Sequence, residues 1–344
     1  MACLYEGPAP ESAVAYDARN IELVPVPPAG GDSIRRKLDA VRVLPHYART
    51  ILRELANADV VHVRAPANIA MVAMLVLRLA PGAKRQWFKY AGNWKPATRD
   101  PATYALQRWW LGRGRHGGVV TVNGRWPVQP AYVRTFRNPS LDDTDLERGR
   151  RAAQGKQLTS PLRLLFVGAL NDSKGAARVL QILALLRRRG VDATLELLGD
   201  GPDRGRFEAV AASLEVSEHA HFLGWQSRLS VHAAYERAHF LLLPSATEGW
   251  PKVLSEGMAF GVVPLAGDVS AIRGELETFG AGAALPVDDI NGFADTLARY
   301  ITDPARWRIE SSRAAAAAPL FSFSNYLASV DELLRDLTRD GLSG

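Results

Sequence analysis

The sequence predicts an α/β protein made of two doubly wound, Rossmann-like domains. Its 344 residues are more than one hydrophobic core usually holds. Short apolar segments alternate with helical segments along two stretches of the chain, which is the pattern of parallel sheets. The composition, 47% hydrophobic and 23% charged, is that of a globular chain. Together these features favour two sheet domains of ordinary size.

The first domain is predicted to cover residues 1–141. Its strands are expected at residues 21–24, 60–63, 86–90 and 119–122, and its helices at 39–56, 67–79 and 101–111. His62 falls inside one of these strands, where a hydrogen-bonded core histidine is a better interpretation than a catalytic base. The polar, acidic segment 142–160 is expected to be a linker.

The second domain is predicted to cover residues 161–320. The apolar segment 162–167 is expected to form a buried strand that breaks at Gly168, and a helix over 176–189 is expected to stop at Gly190. Further strands end at the glycine-rich turn of Gly199 and Gly201, and at Gly224. A last helix over 321–340 is expected to pack back on the first domain.

Two carboxylates mark the most informative segment. Glu248 and Glu256 lie eight positions apart around a Gly/Pro turn, after the apolar segment 240–243. A strand, a tight turn and a helix starting near Val253 would bring both acids to the carboxyl edge of a sheet, where open α/β folds bind ligands. An isolated pair of acids would more simply cap a turn and favour a helix start.

Lys174 belongs to a second such segment. It follows the strand 162–167 and the loop that opens at Gly168, and it directly precedes a helix. A strand, a basic loop and a helix start together suit a phosphate group. Taken alone, Lys174 would more simply be a solvated loop lysine.

The segment 245–259 (SATEGWPKVLSEGMA), followed by Gly261, Pro264 and Gly267-Asp268, resembles retaining nucleotide-sugar glycosyltransferases of family 4 (glycosyl transferases group 1). This family has the GT-B fold, in which two such domains face each other across a cleft. The resemblance implies that Glu248 faces the hexose of the donor and that Glu256 accepts hydrogen bonds from the ribose diol. It also implies that Lys174 and the Gly168 loop hold the diphosphate.

The resemblance implies further donor contacts, which follow in two groups. Backbone amides at the helix start would contact the donor, at Gly249, Lys252 and Val253. Loops that hold the nucleotide base would contain Gly199, Gly201 and Gly224, although these glycines are equally explained as turn residues.

The sequence departs from the family pattern at three places. Ala169 stands where the family usually has a phosphate-binding arginine, and the family's histidine near the reacting sugar has no counterpart. Asn93 is the substitute candidate for contact with a sugar hydroxyl. Only nineteen residues precede Asn20, so we expect the family's first strand, glycine-rich loop and helix to be missing or reduced.

Charge is uneven along the chain. Residues 1–155 hold 23 Lys/Arg and 13 Asp/Glu, a net +10, whereas the remainder holds 19 and 23, a net −4. The basic residues Arg35, Arg36, Lys37, Arg42 and Arg49 suit an anionic membrane surface or a lipid-linked acceptor, or they form an ordinary solvated helix face. No nucleic-acid motif accompanies this charge. One cysteine, Cys3, excludes a disulfide framework within one chain.

These observations predict a retaining, metal-independent hexosyltransferase that uses a UDP- or GDP-sugar. The acceptor would be a glycan or lipid-linked sugar, and the setting cytoplasmic, with contact to the inner face of a membrane, in bacterial envelope polysaccharide synthesis. No cofactor or metal is expected. The alternatives are an epimerase or phosphorylase of the same fold, or a catalytically inert nucleotide-sugar-binding subunit that scaffolds a polysaccharide-synthesis complex.

Overall fold

The computed structural model describes residues 2–3, 20–27, 34–80, 85–95, 101–114, 116–126 and 129–340. By its internal contacts the chain divides into two compact units. The first unit comprises residues 1–91, 100–121 and 340–344, and the second comprises residues 92–99 and 122–339. The domain boundaries predicted from the sequence, at 141 and 161, stay a prediction.

The first unit has an alternating order of strands and helices. Its elements are β1 (Ala2–Cys3), β2 (Pro25–Val26), α1 (Ile34–Leu55), β3 (Val60–Ala65), α2 (Asn68–Leu79), β4 (Arg85–Tyr90), α3 (Ala102–Leu111) and β5 (Val119–Val122). Strands β3 and β4 are parallel, with Val60 opposite Arg85 and Ala65 opposite Tyr90. Strand β1 pairs in parallel with β2. The predicted alternation is therefore confirmed, with shifted boundaries.

Two expectations for this unit are wrong. Residues 21–24 are not a strand, and the strand that follows them is only β2. Ile21 and Leu23 are 46% and 50% exposed, so among the described residues these side chains are not packed into a core. His62 is exposed rather than buried, and its ring stacks on Trp87 with the centroids 3.9 Å apart.

The second unit contains most of the secondary structure. Its elements begin with β6 (Val133–Thr135), α4 (Asp143–Gly155), β7 (Leu162–Val167), α5 (Ala176–Arg188), β8 (Ala193–Leu198), α6 (Arg204–Ser213), β9 (Ala220–Gly224) and α7 (Arg228–Arg237). They continue with β10 (Phe240–Leu243), α8 (Lys252–Ala259), β11 (Val263–Gly267), α9 (Ile272–Phe279), β12 (Ala283–Leu285), α10 (Ile290–Thr302), α11 (Pro304–Ala317) and α12 (Phe323–Asp340). Two short 3₁₀ helices cover Ser217–His219 and Ala318–Phe321.

Six parallel strands form the sheet of this unit, in the order β9-β8-β7-β10-β11-β12. The chain moves outward in one direction from β7 through β8 to β9, and then returns to start β10 on the other side of β7. This is the doubly wound Rossmann order. The strand order therefore reverses between β7 and β10, and open α/β sheets bind ligands at such a reversal.

The two central strands, β7 and β10, are mostly apolar segments, as expected for parallel strands that are buried on both faces of the sheet. In β10, for example, three leucines follow Phe240. The side chains of Phe166, Phe240 and Leu242 are fully buried. A hydrophobic core on both faces of the sheet thus fixes the strand ends, and with them the loops that follow.

The segment 142–160, expected to be a linker, consists mostly of helix α4. The acidic residues that suggested a linker form a reciprocal cap at its start. The Asp145 amide donates to Asp142 Oδ1 and the Asp142 amide donates to Asp145 Oδ2, both at 2.8 Å. Two unpaired amides are thereby satisfied at the beginning of the helix.

The last helix, α12, contacts residues on the amino-terminal side of α4. Arg134 pairs with Asp336 at 2.6 Å, and the rings of Phe136 and Tyr326 meet edge to face with centroids 5.8 Å apart. These residues all group with the second unit. That α12 packs back on the first domain stays a prediction.

The predicted loss of the family's first strand-loop-helix unit concerns residues 4–19, which lie outside the described residues. Within the described part of the chain, no helix combines the length and the apolar character needed to span a membrane.

Candidate functional site

The carboxyl ends of β7 and β10 define the candidate site. These strands are neighbours, with Phe240 opposite Leu164 and Leu241 opposite Leu165. Their following connections run to opposite faces of the sheet, so a crevice opens between the two loops; open α/β sheets bind ligands at this point. The loops are residues 168–175 and 244–251, which contain the basic residue and the first carboxylate predicted from the sequence.

An ion pair joins the two loops. Lys174 Nζ lies 2.7 Å from Glu248 Oε1, and the exposed fractions of the side chains are 35% and 8%. A backbone hydrogen bond also joins the two loops, since the Ala246 amide donates to the Ser173 carbonyl at 2.8 Å. The structure therefore brings Lys174 and Glu248, which are 74 residues apart, into direct contact.

Glycine is needed where these loops touch. Gly175 precedes α5 with φ of +86°, and a Cβ there would strike the Pro244 carbonyl. Gly199 has φ of +136°, and a Cβ there would strike the Gly168 carbonyl. The left-handed conformation and the close backbone contact both exclude other residues. The glycines thus hold the loops together.

The loop after β8 and the loop after β9 join the same edge of the sheet. The Gly168 amide donates to the Leu198 carbonyl at 2.9 Å, and the Gly199 amide donates to the Gly224 carbonyl at 2.8 Å. A Cβ at Gly201 would meet the Leu170 carbonyl. Packing between loops accounts for Gly199 and Gly201, so their predicted contact with a nucleotide base stays a prediction.

Helix α8 begins where the turn after Glu248 ends. Pro251 is its N-cap residue, and no side chain caps the helix start. The amides around Lys252 and Val253 therefore lie at the positive end of the helix dipole, which favours an anion. The predicted helix start near Val253 is confirmed to within one residue. The predicted ligand contacts of Gly249, Lys252 and Val253 stay predictions.

Glu256 lies on the next turn of α8 and is partly buried. Its Oε2 accepts a hydrogen bond from the Tyr235 hydroxyl at 3.2 Å. Burial raises the pKa of Glu256, and the Tyr235 hydrogen bond and the charges of Lys252 and Arg228 act in the opposite direction. This carboxylate is thus partly dehydrated yet surrounded by groups that favour its ionised form.

Glu256 faces a cavity of about 340 Å³. Polar and charged groups from residue 140, from residues 226–232 and from α8 share this cavity with a few apolar side chains. The lining residues are Ser140, Val167, Gln226, Arg228, Val231, His232, Lys252, Glu256 and Phe323. A concave site with a few convergent polar groups suits a small polar ligand.

The sequence analysis missed Arg228 and its network. Arg228 is the first residue of α7, and it pairs with Asp145 and, at 3.2 Å, with Asp142. His232 Nε2 lies 3.6 Å from Asp145 Oδ1, and burial lowers the pKa of His232. Arg228 follows a strand that ends in Gly224 and begins a helix. A basic residue at such a strand–loop–helix junction was a signal that the sequence offered.

Asn93 makes a local contact, since its Oδ1 accepts a hydrogen bond from the Lys95 amide at 3.1 Å. Its predicted role toward a sugar hydroxyl stays a prediction. Among the described residues, no group of three or more His, Cys, Asp or Glu side chains is arranged to hold a metal ion.

Solved structures share the fold of this protein. Solved structures with the same fold include Anabaena HepE in complex with UDP, with a TM-score of 0.66 and 15% sequence identity over 85% of this chain and 82% of that one. Such neighbours are glycosyltransferases of the GT-B fold, which confirms the predicted fold class.

A segment of the second unit matches a known family. Residues 150–318 match the family model of glycosyl transferases group 1. The predicted resemblance is therefore confirmed at that level.

Curated relatives agree with this family. An alpha-D-kanosaminyltransferase of Streptomyces kanamyceticus is 25% identical over 52% of this chain and 45% of its own. A lipopolysaccharide 1,6-galactosyltransferase of Salmonella typhimurium is 31% identical over 43% of this chain and 42% of its own. The matches span less than half the length of these relatives.

Proposed function

We propose that this protein is a retaining glycosyltransferase of family 4 type, which transfers a hexose from a nucleotide diphosphate sugar to a glycan or glycolipid. The single observation that carries the proposal is the Lys174–Glu248 contact at the reversal point of the sheet, with Glu256 on the helix that follows. A cation and two carboxylates at this edge match the three parts of such a donor: diphosphate, hexose and ribose.

Each group has a chemical task in this proposal. Lys174 and the amides at the start of α8 stabilise the diphosphate as negative charge develops on it. Glu248 accepts hydrogen bonds from the hexose, and Glu256 accepts them from the ribose diol, because an ionised carboxylate is a strong acceptor. No metal is needed for this division of tasks.

The bond changes balance without a nucleophile from the protein. The bond between the anomeric carbon and the diphosphate oxygen breaks, and its electron pair stays on that oxygen. The acceptor hydroxyl bonds to the anomeric carbon on the same face, and its proton passes to the departing phosphate. The protein's part is to position the two substrates and to stabilise the leaving group.

The relatives support the substrate class and the setting. One relative is a lipopolysaccharide galactosyltransferase, and a structural neighbour binds UDP. We therefore include a UDP- or GDP-sugar as donor and envelope polysaccharide assembly, at the cytoplasmic side of a membrane, as parts of the proposal.

An inert nucleotide-sugar-binding subunit is the second candidate, and Ala169 favours it. The loop that holds Lys174 has an apolar residue where group members usually present an arginine. Losing one charged hydrogen bond to phosphate weakens binding by about 1.5–3 kcal/mol if nothing replaces it.

Substitution at Glu248 separates the two candidates. The assay measures release of nucleoside diphosphate from UDP-, GDP- and ADP-hexoses, with alkyl glycosides as acceptors, for the wild type and for Glu248→Gln. The matched control is Glu218→Gln, an exposed glutamate of the same unit. If the protein is a transferase, Glu248→Gln should lose turnover and keep most of its nucleotide affinity. Glu218→Gln should keep wild-type turnover and wild-type affinity. Nucleotide binding without any turnover in the wild type would favour the inert subunit.

A further inference from the structure

Tyr235 is a buried residue that the proposed reaction leaves unused. It lies near the end of α7 and is fully buried. Its ring stacks on Phe260, with the centroids 5.7 Å apart, and a Cβ at Gly257 would touch its edge at 3.4 Å. Its orientation is thus set by packing on α8 and on the residue that ends it.

The only side-chain partner of the Tyr235 hydroxyl in the described structure is Glu256, at 3.2 Å. Glu256 lines the 340 Å³ cavity, and Tyr235 does not. The hydroxyl therefore holds the carboxylate from the protein interior, and the carboxylate meets the cavity. Fixed side-chain orientation of this kind reduces the cost of ordering a binding group when its ligand arrives.

The protonation states of the two groups agree with a hydrogen bond in which Tyr235 donates and Glu256 accepts. Burial and the nearby Glu256 raise the pKa of Tyr235 well above its usual value, so the hydroxyl remains a donor. Burial raises the pKa of Glu256, and the first group that opposes this effect is the Tyr235 hydroxyl. Without that donor, the carboxylate would take up a proton at a higher pH.

We propose that Tyr235 is a positioning residue for ribose recognition, which acts through Glu256 and never touches the nucleotide. The inference rests on the proposed function, because it assigns the ribose diol to Glu256. It adds that the α7–α8 packing, and not α8 alone, determines how well the ribose is bound.

The test uses Tyr235→Phe, which keeps the buried ring and removes only the hydroxyl. Calorimetric titration with the nucleoside diphosphate that the wild type prefers should give about tenfold weaker binding, the size expected for a hydrogen bond to a charged group. The same titration with the 2′,3′-dideoxynucleoside diphosphate should give no difference between the two proteins. A variant that merely damages the fold would weaken both ligands alike.

The matched control is Tyr300→Phe. Tyr300 is also buried and donates to a carboxylate, Glu310 Oε2, at 2.6 Å. Neither residue lines the Glu256 cavity. This variant should lose thermal stability and keep wild-type nucleotide affinity, which shows that removal of a buried tyrosine hydroxyl is not itself the cause.

The pH dependence adds a readout that packing alone does not change. Affinity for the ribonucleotide should fall as pH falls through the raised pKa of Glu256, and in Tyr235→Phe this fall should begin at a higher pH. Other charged or titratable groups that act at Glu256 or share its cavity are Lys252, Arg228, Asp145 and His232. Titration of these other groups should change the affinity for the dideoxy ligand equally in the wild type and in Tyr235→Phe. The dideoxy ligand therefore separates their effect from that of the Tyr235 hydroxyl.

Equal ribonucleotide affinity and equal pH profiles for Tyr235→Phe and wild type would overturn the inference while leaving the proposed donor site intact. Equal weakening of ribonucleotide and dideoxynucleotide binding in Tyr235→Phe would also overturn the inference. If Tyr235→Phe does not fold, Phe260→Leu loosens the packing on the Tyr235 ring while Glu256 stays unchanged, and the ribose-dependent loss should appear there. A wild type that binds no nucleotide would remove the proposed function together with the inference.

Discussion

Breaking the Lys174–Glu248 ion pair should destabilise the unliganded protein by a measurable coupling energy. The two charged atoms are 2.7 Å apart, which corresponds to a gross attraction of about 6 kcal/mol at an effective dielectric constant of 20. Glu248 is only 8% exposed, but Lys174 is 35% exposed, so water screens the pair and dehydration offsets much of the attraction. We expect a net coupling of about 1–2 kcal/mol.

A double-mutant cycle isolates this term. Lys174→Met, Glu248→Gln and the double variant are compared with the wild type by urea unfolding at pH 7 in low and high salt. Lys174→Met should be the less stable single variant, because it leaves a buried carboxylate unpaired. The double variant should be more stable than the sum of the single effects predicts.

The control cycle is Arg204 with Glu208, an exposed pair on α6 with a 2.8 Å contact. Its coupling should be smaller than that of the Lys174–Glu248 pair, as is usual for helix surface pairs. A Lys174–Glu248 coupling no larger than that of the control would refute our account of the pair as the link between the two loops.

Three further predictions concern individual residues. Gly199→Ala should destabilise the protein by about 2 kcal/mol or more in urea unfolding, because its φ of +136° and the Gly168 carbonyl leave no place for a Cβ; wild-type stability would contradict the assigned strain. Burial lowers the pKa of His239 to about 4 from 6.5, and its Nδ1 accepts from the Arg163 amide at 3.1 Å. The unfolded chain takes up a proton at His239 near pH 6.5, whereas the folded protein does so only near pH 4. The protein should therefore lose roughly 2–3 kcal/mol of stability as pH falls from 6.5 to about 4. This loss should shrink in His239→Asn, and an unchanged pH profile would contradict it. Ala169→Arg should strengthen nucleoside diphosphate binding about tenfold and leave nucleoside binding unchanged in calorimetry; equal gains for both ligands would show that the arginine does not reach the phosphates.

The site could be predicted from the sequence because its parts are local. A buried apolar strand, a turn and a helix start each leave their own pattern, so β7, β10 and α8 were located to within one residue. The rule that parallel strands share a carboxyl edge then placed Lys174 and Glu248 on the same side of the sheet.

Residues that act through tertiary contacts left no such pattern. Tyr235 reaches Glu256 only because α7 contacts α8, and nothing in its spacing shows that contact. The sequence did not predict that the acidic segment after residue 141 begins a helix, because a capping box and a polar loop have the same composition. Residues 21–24 have the apolar content of a strand, but no surface within the described residues covers the side chains of Ile21 and Leu23.

The most direct test of the central claim is calorimetric titration of the purified protein with UDP, GDP and ADP, beside Glu256→Ala and the exposed control Glu218→Ala. We predict that the wild type and the control bind one of these nucleotides with the same affinity, and that Glu256→Ala loses most of this binding. If none of the three nucleotides binds, or if Glu256→Ala binds as tightly as the wild type, the site at the ends of β7 and β10 is not a nucleotide-sugar site.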